Sequence, residues 1–413
     1  MNHVGTMVSR HAAATLAADI DAAPFFVIAG ILALLVGIGV LEKLRHRRNL
    51  SSIPLRINVN GIRGKSTATR LITSLLANTG TRTVGKTTGT SARIIMPAGR
   101  ETPVKRPRRG PNIGEQRKIV KLAASAEADA LVCECMAVTP DYQIIFQEHY
   151  LQANIGIIVN VLEDHMDLMG PTLDQVAEAF YATIPYDGFL VTVPGPYLKR
   201  FQAIARERNT TVEVARPQDI TPQMLDRFPY VVFPDNLALA LAVARVLNID
   251  EDEALEAIYK APPDPGATRI YPYEAQGREG VFVNGFAVND ADSTVKMFER
   301  TFGENTAGRT PLYVMNCRED RVDRTEQFAK DVFPHLPPGV VVAVGGVTRP
   351  IADGVRSGGF EAVEFLDLEG ATTEQVIEEI DRRLDGHFIF GLGNIHGAAA
   401  GLVTHFTGEL FEE

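Results

Sequence analysis

A glycine-rich turn supplies the clearest chemical signal in the chain. Its residues are Gly61, Ile62, Arg63, Gly64, Lys65, Ser66 and Thr67, between a strand-like segment, LRINVN, and a helical pattern. Backbone N–H groups of such a turn, with the N-terminus of the following helix, form an anion site. Lys65 would reach the β- and γ-phosphates of a nucleotide, and the Ser66 hydroxyl would bind Mg²⁺. Val59 stands where the usual pattern has its first glycine, so we interpret the turn as a shortened phosphate loop.

Carboxylates accompany two other predicted strands. Glu134 lies in the apolar segment LVCECMA, where an unpaired carboxylate would cost several kcal/mol. We expect Glu134 to bind a cation, and an ion pair with a neighbouring arginine is the alternative. Asp164, His165 and Asp167 directly follow a predicted strand, at the strand end where α/β sheets place ligands. These side chains predict a Mg²⁺ site, and a solvated loop histidine is the alternative.

Four further segments are less specific. Asn236 opens an apolar helix, for which N-capping is the alternative. Arg269 follows a proline-rich linker and could reach a nucleotide held between domains, although a solvated surface arginine fits equally. Residues 316–324 alternate in charge, which alone favours a salt-bridged surface. Residues 105–110 form a basic loop, for which an anionic substrate, the membrane surface and no specific ligand all remain open.

Strands and helices alternate through most of the chain, which is typical of a parallel sheet covered on both faces. The pattern restarts after a proline-rich linker at residues 261–269. Besides Leu55–Asn60, the predicted strands are residues 130–135, 155–161, 189–193, 281–283, 312–315, 340–344 and 388–390. The predicted helices are residues 67–78, 114–128, 173–183, 236–247, 251–259, 294–301, 325–332 and 373–384.

Composition narrows the class of protein. The chain has 413 residues and a net charge of −10, whereas proteins that coat nucleic acid are usually basic, so no nucleic-acid partner is expected. Three cysteines are too few for a disulfide framework or a four-ligand zinc site. We predict an N-terminal extension, anchor and basic stub at residues 1–50, a central ATP-binding domain at 51–265 and a C-terminal α/β domain at 266–413.

An uncharged apolar run at residues 25–41 predicts a membrane anchor. Its length is near the lower limit of the roughly 17–25 residues that cross a bilayer. Lys43, Arg45, Arg47 and Arg48 follow it directly, so the positive-inside rule places the rest of the chain in the cytoplasm. A signal peptide would carry its positive charge before the apolar run, and a buried core helix is the other alternative.

Together these motifs resemble the Mur ligase family of ATP-dependent amide-forming enzymes. The family pattern GTNGK[ST][ST] matches residues 61–67, and its N-x-x-x-DHxD segment matches residues 160–167. The resemblance implies a Mur-ligase-like α/β fold. A central P-loop ATPase domain with a parallel-rich sheet and a smaller C-terminal Rossmann-like domain would follow one N-terminal transmembrane helix. Many family members carry a carbamylated lysine after the DHxD segment, but residues 179–181 here are Ala-Phe-Tyr.

The same resemblance implies roles for single residues. ATP would phosphorylate a carboxylate, and an amine would then displace phosphate from the acyl phosphate. Ser66, Glu134 and His165 would bind Mg²⁺, and Asn236 and Arg269 would contact the nucleoside. In the C-terminal domain Asn289, Asp290, Arg318 and Arg321 would orient the substrates.

Ten sequence blocks, among them NGIRGKST and MNCREDRVDRT, resemble the ligase subunits of poly-γ-glutamate synthases more closely. The expected partners are then glutamate, the growing poly-γ-glutamate chain, and membrane-embedded and export subunits. Formation of a homo-oligomer stays open. The alternatives are a ligase that adds another amino acid, or adds glutamate to a non-polymeric acceptor, and a membrane-tethered ATPase that powers export.

Overall fold

Two open β-sheets, one after the other in the chain, form the framework of the protein. The computed structural model describes residues 23–88, 92–106, 112–164, 166–264, 268–286, 288, 290–302, 308–384 and 386–408. The strands are β1 (Leu55–Asn60), β2 (Thr83–Lys86), β3 (Arg93–Ile95), β4 (Glu101–Pro103), β5 (Ala130–Glu134), β6 (Ile155–Ile158), β7 (Phe189–Thr192), β8 (Thr211–Val214), β9 (Ile270–Ala275), β10 (Arg278–Val283), β11 (Thr310–Cys317), β12 (Gly339–Gly345), β13 (Ala362–Glu369) and β14 (His387–Gly393).

Helices connect most of the strands. The α-helices are α1 (Ala23–Ser51), α2 (Lys65–Asn78), α3 (Glu115–Ser125), α4 (Pro140–Ile144), α5 (Met166–Met169), α6 (Leu173–Ala179), α7 (Leu198–Glu207), α8 (Pro222–Asp226), α9 (Pro234–Val246), α10 (Glu251–Ile258), α11 (Ala291–Phe302), α12 (Val322–Gln327), α13 (Arg349–Arg356), α14 (Thr373–Asp381) and α15 (Ala398–Thr407). A π-helix, Ile145–Leu151, continues α4, and another, Phe328–Val332, continues α12.

The first sheet has eight strands in the order β4-β3-β2-β5-β1-β6-β7-β8. Its strands are parallel from β2 to β8, and β3 and β4 add an antiparallel edge. Helices α2, α9 and α10 pack on one face, where Ile57 and Val59 are fully buried. Asn58 and Asn60 alternate with them and donate to Gln147 and Gln143 on the other side. Both faces are therefore covered, as parallel sheets require.

The second sheet has six strands in the order β13-β12-β11-β14-β10-β9, of which only the edge strand β9 runs antiparallel. Its fully buried strand residues, such as Val314, Val342 and Ile389, form near-continuous apolar runs, which is typical of a parallel sheet covered on both faces. Strand β14 returns to lie between β10 and β11. The α/β fold with two parallel-rich sheets is thus confirmed.

The N-terminal helix α1 is exposed along its apolar part; Leu34, for example, is 64% exposed. It is long and apolar enough to cross a membrane by length and composition. Its C-terminal end packs on the central domain. Leu50 is buried there, as is Ile53 just beyond the helix, and Arg117 Nη2 lies 2.8 Å from Glu42 Oε1. The helix therefore continues without a break from its apolar part to the first sheet.

The predicted elements all occur, with shifted ends. The helix predicted at residues 67–78 begins earlier, at Lys65, and the one predicted at 173–183 ends as an α-helix at Ala179 and continues as a 3₁₀ turn. Strands β2, β3, β4, β8, β9 and β13 and helices α4, α5, α7, α8, α13 and α15 were not predicted. The predicted division at residue 265 falls between α10 and β9 and stays a prediction.

Candidate active site

The phosphate loop joins β1 to α2 at the carboxyl edge of the first sheet. Gly61 and Gly64 adopt φ values of 129° and 80°, which suit glycine. A Cβ atom at Gly64 would lie 2.8 Å from Asn236 Nδ2, and one at Gly61 would lie 3.0 Å from the backbone nitrogen of Asn160. Both glycines are thus required by backbone conformation and by close packing.

Two asparagines hold this loop in place. Asn160, just beyond β6, accepts hydrogen bonds on Oδ1 from the N–H groups of Ile62 (3.1 Å) and Arg63 (3.0 Å), and its Nδ2 donates to the Arg63 carbonyl. Asn236, in the first turn of α9, is buried and donates from Nδ2 to the Gly64 carbonyl at 2.8 Å. Asn236 therefore contacts the loop itself, and its contact with a nucleoside stays a prediction.

The Lys65 ammonium lies over the loop. Its Nζ donates to the carbonyl oxygens of Gly61 (2.8 Å) and Ile62 (3.1 Å). A lysine held in this way places one positive charge beside the N-terminus of α2, whose backbone N–H groups already favour an anion. The loop and Lys65 therefore offer the positive charge and the N–H groups that phosphate groups need, and phosphate binding here stays a prediction.

Glu134 is the last residue of β5 and is 2% exposed. Ser66 Oγ donates to its Oε2 at 2.8 Å, the Thr88 N–H donates to the same oxygen at 2.7 Å, and the Thr88 hydroxyl donates to Oε1. Within the described part of the chain the carboxylate forms no ion pair, so the alternative of an arginine partner finds no support among those residues. Three hydrogen bonds instead compensate its burial.

The register of the strands explains why these groups meet. In the sheet β2, β5, β1 and β6 are neighbours, and Glu134 pairs with Val59 while Asn60 pairs with Ile158. The four strands consequently end together and deliver Thr88, Glu134, the phosphate loop and Asn160 to one edge. Ligands of open α/β sheets bind at such carboxyl edges.

The cysteines beside Glu134 are buried thiols of low reactivity. Cys133 and Cys135 are buried, and burial raises the pKa of Cys133 to about 12 and that of Cys135 to about 11. A thiol with so high a pKa is a poor nucleophile at neutral pH.

Arg63 links the phosphate loop to the second sheet. Its guanidinium lies 3.1 Å from Asp164 Oδ2 and 3.1 Å from Asp290 Oδ2. The contact with Asp290 is an ion pair without the alignment of a hydrogen bond. Asp290 also accepts from the Ser293 N–H and so caps α11. A single arginine thereby joins the loop, the segment after β6 and the C-terminal domain.

Other arginines follow β11. Arg318 donates from Nε and Nη2 to both carboxylate oxygens of Asp320, each at 2.8 Å, and Arg321 is exposed. Arg324 is half-buried, and burial, followed by the charges of Arg321 and Arg63, lowers the pKa of its guanidinium. Arg324, in α12, therefore lies close enough to Arg63 of the phosphate loop to sense its charge.

Arg269 lies beside a buried ionic cluster under the interdomain linker. Arg70 of α2 is 1% exposed and lies 2.9 Å from Asp264 Oδ1 and within ion-pair distance of Glu101. Burial raises the pKa of Asp264 to about 6, against the opposing charge of Arg70. Burial raises the pKa of the Tyr230 hydroxyl, and the positive charges of Arg70 and Arg269 oppose this rise. Arg269 is therefore close to the linker cluster, while its contact with a nucleotide stays a prediction.

Two predicted site residues, His165 and Asn289, lie outside the described residues. Sequence reasoning missed the roles of Thr88, Asn160 and Arg324. The TTGT segment and the asparagine of the N-x-x-x-DHxD pattern were visible signals for the first two. No sequence pattern predicts the contact between Arg63 and Asp290.

The donor set at Ser66 and Glu134 fits Mg²⁺. Both side chains offer oxygen ligands, and Mg²⁺ is usually held by one or two carboxylates together with substrate phosphates and water. In the described part of the chain, no group of three or more His, Cys, Asp or Glu side chains could hold a metal ion by itself. A site completed by the phosphates of a nucleotide is consistent with this arrangement.

Comparison with known proteins shows the family of the chain. The Mur ligase middle domain family matches residues 59–215, and the poly-gamma-glutamate synthase CapB C-terminal domain family matches residues 270–409. The chain is 52% identical over 379 residues to the capsule biosynthesis protein CapB of Bacillus anthracis, covering 92% of this chain and 82% of that protein. It is 51% identical over 372 residues to the PGA synthase CapB of Bacillus subtilis strain 168, covering 90% and 95%.

Solved structures show the same fold at low sequence identity. MurF from Acinetobacter baumannii has a TM-score of 0.60 at 15% identity, covering 92% of this chain and 80% of MurF. The bifunctional folylpolyglutamate synthase/dihydrofolate synthase from Yersinia pestis, complexed with AMPPNP and a Mn ion, has a TM-score of 0.62 at 14% identity, covering 88% and 92%.

The phosphate loop, the strand glutamate and this two-sheet fold define an ATP-dependent amide ligase of the Mur ligase superfamily. Within that superfamily the chain belongs to the CapB family of poly-γ-glutamate synthases.

Proposed function

We propose that this chain polymerises glutamate through γ-linkages, with an acyl phosphate as the activated intermediate. A carboxylate oxygen of the acceptor attacks the γ-phosphorus of ATP, and ADP leaves. The amine of the next glutamate then attacks the acyl carbon, phosphate leaves with the former carboxylate oxygen, and the amine gives up a proton. The products are ADP, phosphate and one new amide bond.

The observation that carries this proposal is the contact of Ser66 with Glu134 at the phosphate loop. It places a buried carboxylate 2.8 Å from the Ser66 hydroxyl in the first turn of α2, beside the backbone N–H groups that would bind the phosphates. An ATP γ-phosphate and an acceptor carboxylate are both anions, so their approach requires positive charge fixed in advance. Lys65 would supply it from the loop.

Ser66 and Glu134 would hold Mg²⁺, which when bound supplies positive charge to the transferring phosphoryl group. Thr88 orients the Glu134 carboxylate through two hydrogen bonds. His165 is proposed to serve a second Mg²⁺ near the acceptor. Asn160 and Asn236 keep the loop in its shape, so the reactants are positioned rather than covalently held by the protein.

The C-terminal domain would orient the incoming glutamate. Asp290 touches Arg63 of the loop, and Arg324 is close to Arg63 and Asp164. Arg318 and Arg321 lie in the segment after β11, and these two residues together with Asn289 are proposed to bind glutamate carboxylates and the amine. Because Arg63 joins both domains, their closure and the order of the phosphate loop are coupled in this proposal.

We further propose that α1 anchors the chain in the membrane once, with both domains in the cytoplasm. The arginines and lysine after residue 41 support this orientation. Membrane-embedded and export subunits would take over the polymer as it grows. The exposed apolar side chains of α1 are available to the bilayer and to such subunits.

Hydroxylamine tests the proposed activity, because it converts an acyl phosphate to a stable hydroxamate. The full chain is incubated with ATP, Mg²⁺, glutamate and hydroxylamine, with Lys65→Ala as the matched control. We expect a γ-glutamyl hydroxamate whose formation needs both ATP and glutamate and disappears in the control. ATP hydrolysis that is independent of glutamate and gives no hydroxamate would contradict a ligase and favour an export motor. A hydroxamate of another amino acid would contradict the proposal that glutamate is the substrate.

A further inference from the structure

A cleft of about 410 Å³ lies where α1 meets the first sheet. One wall is a face of α1 from Gly39 to Arg47, and the other comes from α3 and from the π-helix Ile145–Leu151 with the residue that follows it. None of its lining residues belongs to the phosphate loop or to the contacts between the two domains. The cleft is therefore separate from the active site.

The walls of this cleft are held together by specific contacts. Arg117 Nη2 on α3 lies 2.8 Å from Glu42 Oε1 on α1. His46 Nε2 donates to the Tyr150 carbonyl at 3.0 Å, and the two rings meet edge to face. Since Leu50 is buried one turn further on, this part of α1 has a fixed position on the domain.

The cleft has an excess of positive charge. Lys43 and Arg47 are one helical turn apart, both line the cleft, and among the described residues neither forms an ion pair. Glu42 compensates Arg117. The remaining charged carboxylate in the lining is Glu148, so two cations face one anion. An anionic ligand would balance them.

The cleft also lies at the depth of lipid headgroups if α1 crosses the bilayer. The apolar run ends at Leu41, so at 1.5 Å per residue Lys43 and Arg47 lie about 3 and about 9 Å beyond it. The headgroup region occupies roughly 5–8 Å on each side of the hydrocarbon core. Gly39 has nothing within 4 Å of its Cβ position, which leaves the cleft open towards the acyl chains.

We propose that this cleft binds the headgroup of an anionic phospholipid, with the lipid phosphate between Lys43 and Arg47. The inference rests on the membrane anchor proposed above. A lipid held there would fix the catalytic domains against the cytoplasmic surface through a rigid helix. The polar side chains on the opposite wall, among them Tyr150 and Gln152, can bind headgroup hydroxyl groups.

Lipid retention by the full chain tests the proposal. The protein in detergent is titrated with phosphatidylglycerol or phosphatidylcholine, and bound lipids are counted by native mass spectrometry. The test variant is Lys43→Ala with Arg47→Ala. The matched control is Arg45→Ala with Arg48→Ala, which removes the same charge from the other side of the helix, where neither residue lines the cleft.

We expect the wild type and the control to bind one phosphatidylglycerol at least tenfold more tightly than phosphatidylcholine, and the test variant to lose this preference. Equal losses in both variants would mean general attraction of a basic segment to anionic lipid and would overturn the site. No preference in the wild type would overturn it too. Displacement of the lipid by glycerol 3-phosphate at the same concentration would show a soluble phosphate ligand instead.

Flotation with phosphatidylcholine vesicles separates this proposal from the membrane anchor. A full chain that floats but shows no preference for phosphatidylglycerol refutes the lipid site alone. A chain that stays in the soluble fraction refutes the anchor, and the lipid site with it.

Discussion

Replacing Glu134 by glutamine should separate nucleotide binding from ligation. The substitution keeps the volume of the side chain and removes its charge. At the Oε2 position the amide oxygen can still accept from the Ser66 hydroxyl and the Thr88 N–H, and the Thr88 hydroxyl can rotate to accept from the new amide group. One hydrogen bond is disturbed while a buried charge is removed, so we expect the free energy of unfolding to change by no more than about 1 kcal/mol.

The catalytic loss in Glu134→Gln should be much larger. Lys65 and the loop amides still hold the phosphates, so ATP binding should stay within about tenfold of wild type, or about 1.4 kcal/mol. Loss of the negatively charged Mg²⁺ ligand should lower the ligation rate about a hundredfold or more. The Mg²⁺ concentration needed for half-maximal rate should rise, because a neutral amide is the weaker ligand for a hard cation.

Calorimetric titration with ATP measures the nucleotide affinity, and glutamate-dependent phosphate release measures the ligation rate. Both are measured over a series of Mg²⁺ concentrations. Ser66→Ala completes a double-mutant cycle with Glu134→Gln. Since both residues are proposed to act on the same ion, the double variant should lose less than the product of the two single losses. Normal ligation by Glu134→Gln would remove this residue from the site. Fully multiplicative losses would refute a shared ion.

Three more outcomes are expected. Asp264 has a pKa of about 6 in the fold against 3.8 unfolded, so its folded state binds the proton more tightly and stability falls as pH rises through that range. From pH 5 to pH 7.5 the wild type should lose stability on the order of 1 kcal/mol relative to Asp264→Asn in denaturant unfolding, and a constant difference would contradict the shift. Asp290→Asn keeps the cap of α11 but weakens the ion pair with Arg63, so the KM for ATP should rise by up to about fivefold. The rise should be smaller at high salt, because salt already screens that ion pair in the wild type. Asp292→Asn, on the same helix, is the control, and an equal rise of its KM would refute the coupling. A chain of residues 42–413 should be monodisperse in detergent-free buffer by size-exclusion chromatography, because the apolar run ends before it; aggregation would contradict this.

Sequence patterns predicted the phosphate loop because its chemistry is local. The strand, the glycines and Lys65 are contiguous, so the prediction needed only their spacing and their placement between a strand and a helix. The apolar runs of β5, β6 and β12 predicted these strands equally well. Strand β13 was missed because it is an edge strand rich in Glu and Asp, residues that are depleted in strands, and β3 and β4 are only three residues long.

The contacts that complete the site are not local, and sequence patterns could not predict them. Thr88 reaches Glu134 only because β2 pairs with β5, and strand order is invisible in a single sequence. The Arg63 contact with Asp290 depends on how the parts of the chain that carry the two sheets meet. Glu134 was predicted to be bound or paired because burial of a carboxylate demands it, but hydroxyl groups from two segments satisfy that demand as well as an arginine would.

Transfer of oxygen from substrate to phosphate tests the proposed reaction most directly. Glutamate labelled with ¹⁸O in its γ-carboxylate is incubated with the full chain, ATP and Mg²⁺, and the released phosphate is analysed by mass spectrometry. If the carboxylate is phosphorylated and then attacked by an amine, one ¹⁸O atom should appear in phosphate for each amide bond formed. Phosphate that carries oxygen from water and none from glutamate would contradict an acyl phosphate and the ligase mechanism built on Glu134 and the phosphate loop.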